Sequence, residues 1–446
     1  MFFPAGSVCS DDRIFFGDDQ SRNATLLTLQ IPACTDFSVR IHGQLDVQQA
    51  KPCATEPDFE GEKQKYLRCS GALVRQFPLK EKENRRLQIL NETLYWYAHN
   101  ALVHYAAPHG LEQPGGAAWG TRDVCQGPFE FFMTFGQYPL VRDILLTVFR
   151  HQDQRSGEWP QWFMFDRYPD EMDCCHGDVG CGPLKCLADY LDATGDTEVL
   201  DQCIPFAHGQ ACLPLQQHVM RALDAIQARF LPGTALLSYA GGDWDDTLQP
   251  SSRELQECLV SSWTQALAFQ VLDGLSRVLP QQAADRCGQM AQRIRSAFLE
   301  YLVVDGVIAG FVYRLPDGRF APMLHPLDED TGIHLRLLPM TRSIIAGISS
   351  SSLADSSLAL IEQKLHCPDG VRLMDHPARY SGGECRLFRR AEQAANVGRE
   401  ISLQYTHAHI RYIEALCKMG LGDHAWQALF EVNPVCLAET VSNALP

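Results

Sequence analysis

The chain has 446 residues, 46% hydrophobic and 21% charged, an ordinary globular composition able to bury a large core without disulfides or metal. Acids outnumber bases 54 to 38, for a formal net charge of −16, which argues against a nucleic-acid partner, because such a partner demands a cationic face. No run approaches the roughly 20 apolar residues that span a bilayer, so no membrane partner is expected. The 17 cysteines are scattered, with no CxxC pair in the Cys174–Cys186 cluster. Free thiols in a reducing cytoplasm are therefore expected, and no metal site. The opening Met1-Phe-Phe-Pro lacks a basic region and a long apolar run, so no leader is expected there.

Short alternating runs open the chain. Leu26–Ile31, Phe37–His42, Tyr66–Cys69 and Ala72–Phe77 read as strands of an antiparallel sheet, giving a β-rich segment over 1–80. From about Lys82 the period changes: Leu87, Leu90, Leu94, Tyr97 and Ala101 mark an amphipathic helix, a linker over 81–110. Further helices are expected at about 138–151, 178–194, 214–229, 253–279, 281–303, 353–365, 399–419 and 423–432, with a strand-like interruption at Val307–Tyr313. Paired helices joined by long Gly/Trp/Asp-rich loops suggest a toroid over 111–446. Periodicity alone does not separate it from an open solenoid.

Four loop-like stretches carry candidate chemistry. In Gly115–Gln126, Trp119 offers a stacking face, and Arg122, Asp123 and Gln126 can bond sugar hydroxyls; a helix entry with Arg122 and Asp123 paired to neighbours fits equally well. In Gly157–Asp178, Trp159, Trp162 and Phe165 are either a sugar platform or core, and Asp178 is either a ligand or a helix cap. Tyr239–Thr247 sets Asp243, Asp245 and Asp246 around Trp244 behind two glycines. Crowded carboxylates beside an apolar ring raise a carboxyl toward neutrality, as a general acid requires. A calcium-binding or capping loop is the alternative. In Arg399–His409 an arginine and two histidines near a helix start favour an anion, while His407 and His409, two apart, make a poor metal pair.

The stretches Gly120-Thr-Arg-Asp-Val-Cys-Gln126, Gly242-Asp-Trp-Asp-Asp246 and Arg399-Glu…His407 resemble the motifs of glycoside hydrolase family 94, the cellobiose, chitobiose and β-1,2-glucan phosphorylases. Trp159-Pro-Gln-Trp-Phe-Met-Phe, Leu338-Pro-Met-Thr-Arg-Ser and Asn396-Val-Gly-Arg-Glu are most similar to its 1,2-β-oligoglucan branch. The resemblance runs from about Asn91 to Asn433. It implies an (α/α)6 barrel preceded by a helical linker and a β-sandwich. It also implies inverting phosphorolysis of β-linked glucose oligosaccharides to α-glucose 1-phosphate, with phosphate as co-substrate and no other cofactor. Asp246 falls on the general acid. Arg122, Asp123 and Trp244 fall on the glucose subsite, Glu400 near the acceptor sugar and His407 on the phosphate histidine. Arg399 is taken as a second phosphate ligand; Trp119, Gln126, Trp159, Asp178 and Asp243 are taken as further substrate contacts.

Two departures from the family pattern stand out. Gly127 follows Gln126 where many members carry Asp, and the chain ends at Val441–Pro446 before any hydroxyl-and-glycine phosphate loop. The expectation is therefore an internal piece of a longer phosphorylase, impaired alone, with the missing parts or a complementing chain as partner. The competing readings are an inverting hydrolase, for which Asp178 would be the second carboxylate, and a non-catalytic glucan-binding fragment.

Overall fold

The computed structural model describes residues 6–24, 26–36, 58–74, 84–105, 118–164, 171–172, 176–207 and 211–433. The chain divides into two compact units, Met1–Lys65 and Tyr66–Pro446. In the first, Val8–Ser10 pairs antiparallel with Thr28–Gln30, Cys9 opposite Leu29, so the first expected strand is present. The buried Asp12 carboxylate accepts from the Arg22 and Ala24 N–H groups, both at 3.0 Å, which gathers the connecting loop.

The expected strand at 37–42 lies outside the described residues, but 66–69 and 72–74 require a correction. They belong to a helix, Phe59–Val74. Asp58 starts it by accepting the Gly61 N–H at 2.9 Å, and Glu60-Gly-Glu-Lys-Gln-Lys65 is rich in straight-chain helix formers. Four alternating residues are too few to tell a strand from one turn of helix.

The second unit is mostly helical, with a few two- and three-stranded sheets. The helix expected over 81–110 is Arg85–Tyr105. Tyr138–Phe149, Cys181–Thr194, Leu215–Ala228, Gln281–Ala297, Ser351–Leu360 and Gly422–Glu431 fall where periodicity puts them. The predicted 253–279 helix is broken. Leu259–Ser261 is a buried strand paired with Phe311–Tyr313, and the Ser261 hydroxyl caps the next helix, Ser262–Val278. The predicted 399–419 helix begins only at Thr406, because Arg399 and Ser402 hold left-handed φ values of 49° and 48°, which a helix cannot continue. Leu337–Ala346 is a helix that the sequence reading lacked; its Pro339 reads as a breaker yet sits in the first turn, where no N–H is needed.

Helix Ser262–Val278 is the centre of the packing, touching Cys181–Thr194, Gln281–Ala297 and Leu337–Ala346. Leu337–Ala346 in turn packs on Thr406–Lys418, and Thr121–Gln126 on Cys181–Thr194. Glu130, in the short helix Pro128–Thr134, joins two members of this series. It accepts from Lys185 at 3.4 Å and from Arg411 at 2.8 Å. Burial alone would raise its carboxyl, yet those two cations hold it below the usual range. The core between helices is apolar and aromatic, with Trp159, Trp263, Phe129, Phe149 and Phe298 fully buried.

Near the end of the described chain two histidines act as fasteners. His409 is fully buried; its Nδ1 accepts the Val371 N–H at 3.1 Å and its Nε2 donates to the Ala428 carbonyl at 2.8 Å. Gly370 is required beside it: at φ 111° a Cβ would lie 2.8 Å from His409 Nδ1. His366 lies between Glu362 at 2.8 Å and Glu431 at 2.9 Å. Its bond to Glu431, against the cost of burial and with help from Glu362, lifts its pKa to about 9.

A raised histidine pKa means that the folded state binds the proton more tightly than the unfolded chain. This clamp is thus fully present below the ordinary value of 6.5 and fades as pH rises through about 9. The melting-temperature gap between the native chain and His366→Gln should be widest near pH 6 and should shrink by about pH 10. A gap independent of pH would mean that His366 is held by packing alone.

Candidate active site

The site begins with one buried ion pair. Arg336 donates to both oxygens of Asp243, at 2.8 and 2.9 Å, and both side chains are essentially inaccessible. Ser261 donates to Asp243 at 2.6 Å, and the Asp245 N–H at 3.0 Å completes the set. Burial would raise Asp243, but its partners, Arg336 first, hold it below the usual carboxylate range. Gly242 lies against His176, where a Cβ at φ 151° would sit 3.2 Å from the ring. The His176 Nδ1–H donates to the Asp243 carbonyl at 3.0 Å. The whole turn is thereby fixed from inside.

The three aspartates separate by environment. Asp243 is the structural anion. Asp245 is also fully buried, and burial, with Asp243 and Glu400 nearby, pushes its carboxyl well above the usual range. The sequence expected a raised carboxyl in this loop; the one raised is Asp245, which does not line the cleft. Asp246 does line it. Its Oδ2 accepts from Arg399 at 3.2 Å, and its Oδ1 lies 3.5 Å from both Arg122 Nη2 and His176 Nδ1.

The cleft has a volume of about 700 Å³ and draws its walls from all four motif stretches. Arg122 and Asp123 come from the first, Trp162 and His176 from the second, Trp244 and Asp246 from the third, and Arg399, Glu400, Tyr405 and His407 from the fourth. Arg122 and Asp123 sit on a one-turn helix, Thr121–Gln126, entered from a strand in which Gly120 pairs with Trp162. That pairing brings the first two stretches together. Glu400 is held by the Thr247 hydroxyl and by Arg399 at 2.7 Å. A second lobe of about 540 Å³ shares Asp123 and His407 and continues past Gln126, Glu130 and Arg411. The Gln126 Oε1 there is buried with no hydrogen-bond partner among the described residues.

Other predicted residues lie elsewhere. Trp159 is core: it is 2% exposed, edge-on to Phe149, and donates to the Val148 carbonyl at 3.0 Å. Trp119 packs on Phe163, and Trp162 is the tryptophan of this region that lines the cleft. Phe165 is outside the described residues. Asp178 caps no helix, since Cys181–Thr194 starts after Gly180. It accepts from Arg122 at 3.1 Å and from the Trp263 indole at 3.1 Å, behind the cleft wall. It therefore orients Arg122 from behind.

His407 is the second residue of helix Thr406–Lys418, edge-on to Trp244 with ring centroids 5.4 Å apart. Burial, reinforced by the charge of Arg411, lowers its pKa to about 4. It therefore offers an anion a neutral N–H and no positive charge. Arg390 was missed by the sequence reading. It lines the cleft, and its Nη1 is buried with no hydrogen-bond partner among the described residues. No spacing rule signals it, because its loop reaches the cleft through the Pro250–Phe388 bridge and the Arg389 N–H to the Gln249 carbonyl at 2.8 Å.

A mostly helical unit that gathers one accessible aspartate, several guanidiniums and aromatic rings along one cleft is built like a carbohydrate-active catalytic domain. The chain belongs to the glycosyl hydrolase 94 superfamily, whose catalytic-domain family matches residues 183–444. It is 44% identical, over 97% of its length, to 1,2-beta-oligoglucan phosphorylase of Listeria innocua, and covers 40% of that relative. It is 27% identical over 66% of its length to 3-O-beta-D-glucopyranosyl-beta-D-glucuronide phosphorylase of Paenibacillus borealis, covering 37% of it. A third relative, N,N'-diacetylchitobiose phosphorylase of Vibrio proteolyticus, is 22% identical over 60% of this chain, which covers 33% of it.

Two outcomes follow from the geometry. Arg336→Gln leaves Asp243 buried and uncompensated, and should cost about 3–5 kcal/mol in urea unfolding; a loss under ~1 kcal/mol would show that water reaches the pair. The His407 ring, assigned by its disappearance in His407→Gln, should stay neutral in NMR titrations across the ordinary histidine range of about pH 6–7. A midpoint within that range would restore it as a cationic phosphate ligand.

Proposed function

We propose that this chain carries the donor subsite and acid of an inverting phosphorylase acting on β-linked glucose oligosaccharides, specifically 1,2-linked glucans. A phosphate oxygen bonds to the anomeric carbon as the glycosidic bond breaks, and Asp246 gives its proton to the departing glucan oxygen. The products are α-glucose 1-phosphate and a glucan shortened by one unit. Arg122, Asp123 and Trp244 hold the terminal glucose and Glu400 the next sugar. Arg399, His407 and Arg390 meet the phosphate. Inorganic phosphate is the co-substrate, with no cofactor, and the cytoplasm is the setting.

The observation that carries this reading is Asp246, a carboxyl facing the cleft with guanidiniums 3.5 and 3.2 Å from its two oxygens. Phosphorolysis needs one carboxyl and a place for an anion, whereas inverting hydrolysis needs a second carboxylate to activate water. Asp178, the candidate for that second role, is buried and spent on Arg122 and Trp263. An (α/α)6 barrel over 111–446 belongs to the same proposal. Its support is the succession of packed helices and the Glu130 contact to both Lys185 and Arg411.

The deciding experiment supplies a β-1,2-gluco-oligosaccharide with and without phosphate. Phosphate-dependent release of glucose 1-phosphate supports the proposal; free glucose at equal rates in both arms supports hydrolysis. Tryptophan fluorescence reads sugar binding independently, since Trp162 and Trp244 line the cleft; binding without turnover supports the glucan-binding reading. Asp246→Asn should lower phosphorolysis about 10²–10⁴-fold and spare a glycosyl fluoride donor, whose leaving group needs no proton. Equal loss on both donors would make Asp246 a sugar ligand.

A further inference from the structure

We propose that His334, Asp375 and His376 form a binding site for a divalent transition-metal ion of the zinc type, separate from the cleft. The sequence reading expected no metal, and spacing rules are blind here because the ligands come from stretches some forty residues apart. The fold brings them together. An antiparallel bridge joins Arg336 to Met374, with the Leu337 N–H on the Leu373 carbonyl at 2.8 Å. Continued outward by two residues on each side, that register sets His334 opposite His376. Asp375 lies between them.

The donor geometry suits a small ion. The Nδ1 atoms of His334 and His376 lie 3.0 and 2.9 Å from the same oxygen, Asp375 Oδ2, and one ligand atom from each residue falls within 4.8 Å of the others. Ligands bound at about 2.0–2.2 Å to one tetrahedral ion sit roughly 3–4 Å from one another. The rings are 78° apart with centroids at 5.8 Å, so their edges converge while their faces diverge.

The carboxylate is also oriented in advance. Its other oxygen accepts the backbone N–H groups of His334 and Leu335, both at 2.9 Å, the kind of outer bonding that fixes a ligating carboxylate. The side chains are 38% and 65% exposed for the histidines and 11% for Asp375, so an ion can enter and keep water on its open side. Two imidazoles and one carboxylate select zinc, nickel or copper over magnesium or calcium. Arg336 lies two residues from His334, so a bound ion would fasten the segment that carries the arginine holding Asp243.

The bland alternative is that Asp375 merely accepts two imidazole N–H groups. Zinc calorimetry on the full chain separates the two, after chelator treatment and alkylation of the accessible thiols. The expected result is about one equivalent bound at roughly micromolar Kd, with a zinc-dependent rise in melting temperature. His376→Ala, mostly exposed and so neutral for the fold, should weaken binding about 10- to 100-fold and abolish the thermal shift. No stoichiometric binding, or equal binding by His376→Ala and the native chain, would overturn the site. The assay reads no turnover, so its failure leaves the phosphorylase proposal standing, and the converse holds.

Discussion

The candidate site depends on the bond between Arg336 and Asp243. A buried carboxylate without a partner is costly, and this one has a bidentate guanidinium, a serine hydroxyl and a backbone N–H. The pair connects the start of helix Leu337–Ala346 to the Gly242–Asp246 turn. Ser261 ties in the strand Leu259–Ser261 and the helix that it caps. One anion thus sets the position of a turn whose next two aspartates take different parts.

That arrangement lets three carboxylates coexist within four residues. Asp243 stays charged because Arg336 is present, and Asp245 is pushed toward its neutral form by burial beside that anion. Only Asp246 then meets solvent in the cleft, with 30% of its side chain exposed. The same division recurs for arginines. Arg122 is aimed by the buried Asp178, whereas Arg399 is anchored by Glu400 at its accessible end. Inner charges position; outer charges are left to meet a ligand.

Much of this was legible in the sequence, and the limits are physical. Amphipathic helices such as Tyr138–Phe149 and Gln281–Ala297 declare themselves because a 3.6-residue period over ten or more residues has no competitor. Phe59–Val74 was mistaken for strand because four residues of alternation carry too little information. Arg122, Trp244, Asp246, Glu400 and His407 were found because motif glycines and charges cluster in sequence, and the fold brings them to one cleft. Arg336 and Arg390 were not, because a lone arginine carries no local pattern and only tertiary pairing reveals its partner. Trp159 was indistinguishable from Trp162 on paper, because composition alone does not say which of two nearby rings is core.

The strained Arg399 ties the acid of the proposed chemistry to its nucleophile. Its backbone is left-handed at φ 49°, a conformation that costs a non-glycine residue roughly 1–2 kcal/mol. Its guanidinium bridges Glu400 at 2.7 Å and Asp246 Oδ2 at 3.2 Å. An oxygen that accepts from Arg399 cannot at the same time donate a proton to a glycosidic oxygen. The proton of the proposed acid is therefore carried by Oδ1, which has no hydrogen-bond partner among the described residues. An incoming phosphate is a more highly charged acceptor than one carboxylate, and it matches the guanidinium fork. On the proposed reading, Arg399 steadies the acid through Oδ2 and offers its remaining donors to phosphate, so one guanidinium holds acid and nucleophile together. Water carries no charge for that guanidinium to hold, which favours phosphorolysis over hydrolysis at this one carboxyl.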